Sequence, residues 1–99
     1  MAYFVYILRC EDGSLYTGIT TDLSRRYAEH CGKGGKGAKY THSHRPLRLE
    51  RAWSCSGKGD ALRLEHRIKQ LTHARKEALL LGAEPEGLCL ETYENVPLE

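Results

Sequence analysis

The sequence predicts a compact α/β (α+β) domain: a small three-stranded antiparallel sheet with helices packed against it. Three observations predict it. Residues 3–10 and 14–20 are two strand-like runs on either side of the turn signal Glu11-Asp12-Gly13. Leu47–Trp53 is a third such run, set off by Arg45-Pro46. The segments that begin at Thr21-Asp22 and at Asp60 carry apolar residues at helical spacing. With 99 residues the chain forms one domain, and at that size a single core needs no staples.

The first strand is almost wholly aromatic, β-branched or Leu, as a buried strand should be. Phe4, Tyr6, Leu8 and Cys10 fall on one face; Tyr3, Val5, Ile7 and Arg9 fall on the other. Loop length decides which tyrosines meet. A two-residue loop pairs Tyr6 with Ile19 and puts Tyr6 and Tyr16 on opposite faces. A three-residue loop with Gly13 in the left-handed conformation pairs Leu8 with Tyr16 and Tyr6 with Gly18. The second form is expected, because Gly stands last in the loop, where a bulged turn needs positive φ. Both tyrosines then share a face, and Gly18 opens a gap beside Tyr6.

Thr21 or Asp22 caps the helix that follows. Leu23, Tyr27 and Cys31 form its apolar stripe, Arg26 and His30 lie on the stripe's edge, and Arg25 and Glu29 point to solvent. Arg26 either lays its methylenes along the core or faces a pocket shared with the tyrosines. Gly32 ends the helix.

Residues 32–40, GKGGKGAKY, are not a P-loop, since Ala38 stands where Lys is required. Lys33, Lys36, Lys39, Arg45 and Arg48, with His42 and His44 interleaved, suit a flexible clamp on a phosphate backbone. Tyr40 is either buried or available to stack on a base. In the third strand Leu47, Leu49 and Trp53 share a face that Arg51 interrupts. Asp60 is expected to cap a helix over 61–71 with a core stripe of Ala61, Leu64, Ile68 and Leu71. Glu65 sits at the rim of that stripe, and Lys69, four residues on, is its ordinary partner. Thr72 caps a last helix, 74–81, ended by Gly82, unless the two helices run on as one.

The domain spans residues 1–82, and residues 83–99 are an acidic tail, partly docked or disordered, in which Leu88, Leu90, Tyr93 and Val96 are available to cover an edge. The tail holds five acids and no Lys or Arg, which leaves 15 basic and eight acidic residues before it, a net of +7. Such a body favours a polyanionic partner. No apolar run is long enough for a membrane span or a signal peptide. Cys10, Cys31, Cys55 and Cys89 form no CxxC pair and read as reduced thiols of a cytoplasmic protein. A zinc site can be written from Cys31, His42, His44 and Cys55, but its spacing fits no common template.

The motifs V-Y-I at 5–7, Y-T-G at 16–18 and D-L-x-R-R-x-x-x-H at 22–30 resemble the GIY-YIG nuclease superfamily, in particular its small stand-alone bacterial branch. The resemblance extends over residues 3–81 and takes in A-K-Y-T at 38–41 and A-L-R-L-E-H-R-I-K at 61–69. Phe4 and Val5 replace the Gly and Ile of the name motif, and the late Asn of many members has no obvious counterpart, Asn95 being the only Asn.

The resemblance implies metal-dependent endonucleolytic hydrolysis of phosphodiester bonds, of DNA more than RNA. Tyr6, Tyr16, Arg26, His30 and Glu65 are the implied catalytic residues, with Glu65 the ligand of Mg²⁺ (or Mn²⁺). One carboxylate suffices for Mg²⁺, which keeps several waters and takes phosphate oxygens. Arg26 offers a forked donor to the scissile phosphate, and His30 holds a phosphate oxygen or relays a proton. Tyr6 is carried over as the base and Tyr16 as its positioning partner; positive charge from Arg26 and the metal is expected to lower the tyrosine pKa from about 10. Gly18 is structural to the site. Lys33, Lys36, Lys39, Tyr40 and Arg45 are the expected nucleic-acid contacts. Two other readings remain: a nucleic-acid-binding module that does not cut, and an interaction protein that docks through its tail. No second domain supplies specificity, so a protein partner is a candidate source of it.

Overall fold

A computed structural model describes residues 2–32, 44–83 and 90–98. The chain runs β1 (Tyr3–Cys10), β2 (Leu15–Thr20), α1 (Leu23–His30), β3 (Pro46–Cys55), α2 (Lys58–Lys69), α3 (His73–Leu80) and β4 (Glu94–Asn95). The strands form one antiparallel sheet in the order β2-β1-β3-β4. Four strands replace the expected three. The extra one is two residues of the acidic tail, which pair with Trp53 and Ser54, too short to leave an alternation in the sequence.

The hairpin adopts the three-residue form. Gly13 has φ +86°, the Cys10 amide donates to the Ser14 carbonyl at 2.9 Å, and Tyr6 faces Gly18 while Leu8 faces Tyr16. Asp12 fixes the turn by accepting from the Ser14 amide at 3.0 Å.

Strand β1 is the middle wall, and Val5, Tyr6, Ile7 and Leu8 are buried. One face of the sheet packs Val5, Ile7, Leu15, Trp53 and Cys55 against Ala61, Leu64 and Ile68 of α2 and Leu79 of α3. Leu90 and Tyr93 of the tail close that core, and the Tyr93 hydroxyl donates to the Asp60 carbonyl at 2.6 Å. The other face packs Tyr6, Leu8 and Ala52 against Leu23 and Tyr27 of α1, with Tyr16, Leu49 and Val96 at its margin. Burial of each large apolar side chain contributes about 1.5–3 kcal/mol, so both layers hold β1 in place.

The simple alternation read for β3 fails for a definite reason. Its pairing with β1 slips between Ile7 and Leu8 and again between Arg9 and Cys10. Each extra residue turns the side chains that follow to the opposite face. Leu49 therefore joins the Tyr6 face, Trp53 joins the other, and Leu47 is left exposed. Arg51 lies 4.8 Å over the Trp53 ring and donates to the Leu79 carbonyl at 2.7 Å. Glu50, at the first slip, meets Arg9 at 2.8 Å, and Arg9 also binds Glu77 of α3 at 2.5 Å. This ion cluster ties α3 to β1 and β3.

Asp22 caps α1, accepting from the Arg25 amide at 3.0 Å. Thr72 caps α3, so the last two helices are separate, and Gly82 has φ +102°. Asp60 is not a cap: Gly57 holds that place in α2, and Asp60 lies in the first turn, paired with Arg63. Cys31 is exposed rather than part of the α1 stripe, because it follows the last helical turn. The zinc reading dissolves among the described residues. Cys31 is exposed at the end of α1, Cys55 is buried in the α2–α3 core, and His44 meets Asp12 at the hairpin turn at 2.5 Å. His42, Leu88 and Cys89 lie outside the described residues. No helix among those described is long and apolar enough to cross a membrane.

Candidate active site

The register of the hairpin creates the site. With Tyr6 opposite Gly18, the Tyr6 ring lies over a backbone that has no side chain. A Cβ at Gly18 would stand 2.6 Å from the Tyr6 hydroxyl oxygen, 2.8 Å from its Cζ and 3.0 Å from Cε2 of Tyr16. No side chain larger than hydrogen fits there while both rings keep their places.

Helix α1 brings His30 onto this face. Its Nε2 is 2.7 Å from the Tyr6 hydroxyl oxygen. The ring centroids of Tyr6 and His30 are 5.8 Å apart, those of Tyr16 and His30 5.2 Å, and those of Tyr6 and Tyr16 6.3 Å. The three rings thus form one cluster with mostly edge-on geometry. His30 is buried, more so than its place at the edge of the helical stripe suggested. Arg26, one turn earlier, takes the pocket-facing alternative: its guanidinium reaches the Tyr6 hydroxyl and also pairs with Glu29 at 3.0 Å. Glu29 does not point to solvent as expected. Only 19% of its side chain is exposed, because it folds back onto Arg26. Sequence reasoning missed Glu29 in this role, although its i,i+3 spacing from Arg26 carried the signal.

Arg26 acts on the Tyr6 pKa in the expected sense, but burial acts more strongly. Burial pushes the Tyr6 phenol up to about 12, opposed by Arg26 and reinforced by Tyr16 and Glu65. The cation that was expected to lower this pKa is outweighed by desolvation. Burial also pulls His30 down to about 4, assisted by the Arg26 charge and partly offset by Glu29. At neutral pH the pair is a protonated phenol against an uncharged imidazole.

Glu65 approaches from the opposite side of the sheet edge. It lies on α2, which packs along β2, and its carboxylate is close enough to act on the Tyr6 pKa. Its side chain is 19% exposed, and Lys69 stands 3.5 Å away, the ordinary partner expected for it. The Lys69 ammonium also lies 6.0 Å from the Tyr16 ring centroid. Among the described residues no three His, Cys, Asp or Glu side chains gather to hold a metal. A lone, partly exposed carboxylate suits Mg²⁺ or Mn²⁺, which retain waters and share phosphate oxygens, and does not suit a caged ion such as structural zinc.

Tyr3, Tyr27 and Tyr93 are structural, as expected; the Tyr27 hydroxyl donates to the Leu47 carbonyl at 3.1 Å. Arg45 is exposed at the hairpin-turn end of the sheet, where its carbonyl accepts from the Glu11 amide at 2.8 Å, just past the end of β1 and five residues along from Tyr6. Lys33, Lys36, Lys39 and Tyr40 lie outside the described residues. Asn95, the single Asn, accepts from Arg51 in the structural layer and not at this cluster.

Comparison with known proteins bears on the same residues. A family model described as the GIY-YIG catalytic domain matches residues 2–78, which include all five clustered or rim residues just described. The chain belongs to the GIY-YIG family. A UPF0213 protein of Fusobacterium nucleatum is 43% identical over 96 residues, covering 97% of this chain and 91% of the relative. Another, of Halobacterium salinarum, is 51% identical over 77 residues, covering 78% of this chain and 97% of the relative. The solution NMR structure of a UPF0213 protein from Bacillus halodurans is 46% identical and superposes with a TM-score of 0.54, over 86% of this chain and 89% of that one. The GIY-YIG assignment and the α+β architecture therefore agree from sequence to fold.

Proposed function

We propose that this GIY-YIG chain is a metal-dependent endonuclease that hydrolyses phosphodiester bonds in nucleic acid, DNA in preference to RNA. One observation carries the reading: Tyr6, Tyr16 and His30 meet over Gly18, with Arg26 on one flank and Glu65 on the other. The preference for DNA rests on likeness to the family alone.

Hydrolysis needs a deprotonated water, neutralised charge on phosphorus and a stabilised leaving oxygen. Mg²⁺ or Mn²⁺ held by Glu65 would supply the last two as a Lewis acid. Arg26 offers its fork to a non-bridging oxygen in a site where water is scarce. Tyr6 cannot act as a standing base with a pKa near 12. Its 2.7 Å link to His30 gives another route. The Tyr6 oxygen takes the proton of the attacking water while its own proton passes to Nε2 of His30. Burial keeps His30 uncharged, with a lone pair to receive the proton, but also weakens it as a base, so the proton moves only in concert with attack of the water on phosphorus. Tyr16 borders the same space and positions the water and phosphate.

A second reading, a nucleic-acid-binding module that does not cut, is favoured by the same raised Tyr6 pKa, since a protonated phenol is a poor base on its own. The deciding experiment is cleavage of labelled single-stranded, duplex and branched DNA and RNA with Mg²⁺, Mn²⁺ or EDTA. Wild type is run beside Glu65→Gln and Tyr6→Phe. Metal-dependent cutting that both variants lose while staying folded is the expected result. Salt-sensitive binding without cutting on any substrate replaces the nuclease with the binding module. Cutting that survives Glu65→Gln refutes the metal assignment.

A further inference from the structure

Resting on that reading, we propose that Lys69 is a built-in exchange cation: it holds Glu65 until the metal arrives, then turns to the substrate phosphate. One position of its ammonium touches on both tasks. Its ammonium is 3.5 Å from Oε2 of Glu65 and 6.0 Å from the centroid of Tyr16. It therefore bridges the carboxylate on α2 and a ring at the heart of the site.

The pair is built to exchange. A separation of 3.5 Å is longer than a close charge-assisted hydrogen bond of about 2.7–2.9 Å, so charge rather than tight geometry holds it. Half of the Lys69 side chain is exposed, whereas Glu65 is 19% exposed. The cation can swing out on its four-carbon stem while the carboxylate stays. With a divalent ion bound, Glu65 would no longer offer Lys69 an unscreened negative partner, and the ammonium would be repelled. Its ammonium already lies 6.0 Å from the Tyr16 ring centroid, so a phosphate seated against that ring would be within its reach.

Lys69 has three consequences for the chain's own behaviour. It lowers the apparent affinity of Glu65 for metal, because the ion must displace it. It keeps the metal-free site from presenting an unpaired carboxylate to a polyanion. It also couples cation binding to nucleic-acid binding, since one event releases the group that the other uses.

The test uses the full chain. Mn²⁺ binding is measured by calorimetry for wild type, Lys69→Met, Lys69→Arg and Glu65→Gln. Lys69→Met is expected to bind Mn²⁺ about two- to five-fold tighter, the range of an exposed ion pair, and Lys69→Arg to stay near wild type. Unchanged or weaker binding by Lys69→Met overturns the exchange role. Glu65→Gln that binds Mn²⁺ as wild type does shows instead that the metal assignment itself has failed.

The second arm measures binding of a short labelled DNA against salt, in EDTA and with Ca²⁺ in place of Mg²⁺. With Ca²⁺, Lys69→Met should reduce the logarithmic salt slope by about 0.7–0.9, the loss of one phosphate contact. In EDTA the two proteins should give equal slopes. Equal slopes under both conditions, or the same difference under both, overturn the proposal, because a merely structural lysine would not respond to the cation.

Discussion

Replacing Gly18 with Ala strikes the point where the two strands of the hairpin make room for the site. The new methyl group would lie 2.6 Å from the Tyr6 oxygen, and restoring an ordinary 3.4 Å contact requires the hydroxyl to retreat by about 0.8 Å. Tyr6 is walled in by Leu8, Ala52 and α1, and its 2.7 Å bond to His30 fixes the direction of the hydroxyl. Overpacking of this kind costs about 1–3 kcal/mol. The better strand propensity of Ala returns about 0.5–1 kcal/mol. The net loss should be about 1–2 kcal/mol, seen as a fall in Tm of roughly 5–15 °C for a domain of this size. A double-mutant cycle sharpens the test. Tyr6→Phe removes the atom nearest the clash, so it should cost less in the Gly18→Ala protein than in wild type. The expected coupling is about 1 kcal/mol, well above the ~0.3–0.5 kcal/mol within which independent sites add. Thermal and urea unfolding of the four proteins supply the numbers. Additive effects, or a Gly18→Ala protein as stable as wild type, would refute the idea that Gly18 exists to seat Tyr6.

Other outcomes follow from the charges. By NMR, His30 should remain uncharged down to about pH 5 and protonate near 4. Its folded pKa lies below the unfolded value of about 6.5, so stability should fall as pH drops from about 6.5 toward 4, and His30→Gln should flatten that limb. Tyr6 behaves in the opposite sense. Its pKa rises to about 12 on folding, so stability should fall as pH climbs above 10, and ultraviolet titration should show tyrosine ionisation extending to about pH 12. Arg9 and His73 hold Glu77 down to about 2. Stability from this pairing is present above the ordinary carboxylate range and lost as pH falls toward 2. Glu77→Gln should weaken that acid dependence by under about 1 kcal/mol, since a third of the side chain is in water. Glu29→Gln should loosen Arg26 and lower turnover on the order of tenfold, less than the ~10²-fold typical of losing a direct transition-state donor. An unchanged kcat would reduce Glu29 to a surface residue.

What could be read from the chain before its structure depended on how local the determinant was. Gly13, with Asp12 bonded to Ser14, selects the hairpin register, and the register puts Tyr6 and Tyr16 on one face. Capping by Asp22 and Thr72 is equally local, as is the break between α2 and α3. The faces of β3 were not legible, because its two slips answer to pairing with β1 and have no sign in a single strand. The two-residue β4 has the same character. At the site, helical spacing placed Arg26 and His30 correctly near its edge but could not show that His30 is buried against Tyr6. Nor could it show that burial would outweigh Arg26 in setting the Tyr6 pKa, since that balance depends on the packing of two elements on one ring.

Tyr6 and His30 touch, yet they are rooted very differently. Tyr6 belongs to the strand that has a hydrogen-bonded neighbour on each side and is buried on both faces. His30 is the last residue of an eight-residue helix that lies against one face only. Amide exchange at Tyr6 should demand rupture of the entire sheet, whereas the end of α1 can fray by itself. The cluster therefore works like a vice with one fixed jaw and one that travels. Whatever adjusts its grip, whether temperature, substrate or mutation, should act first on the histidine's side.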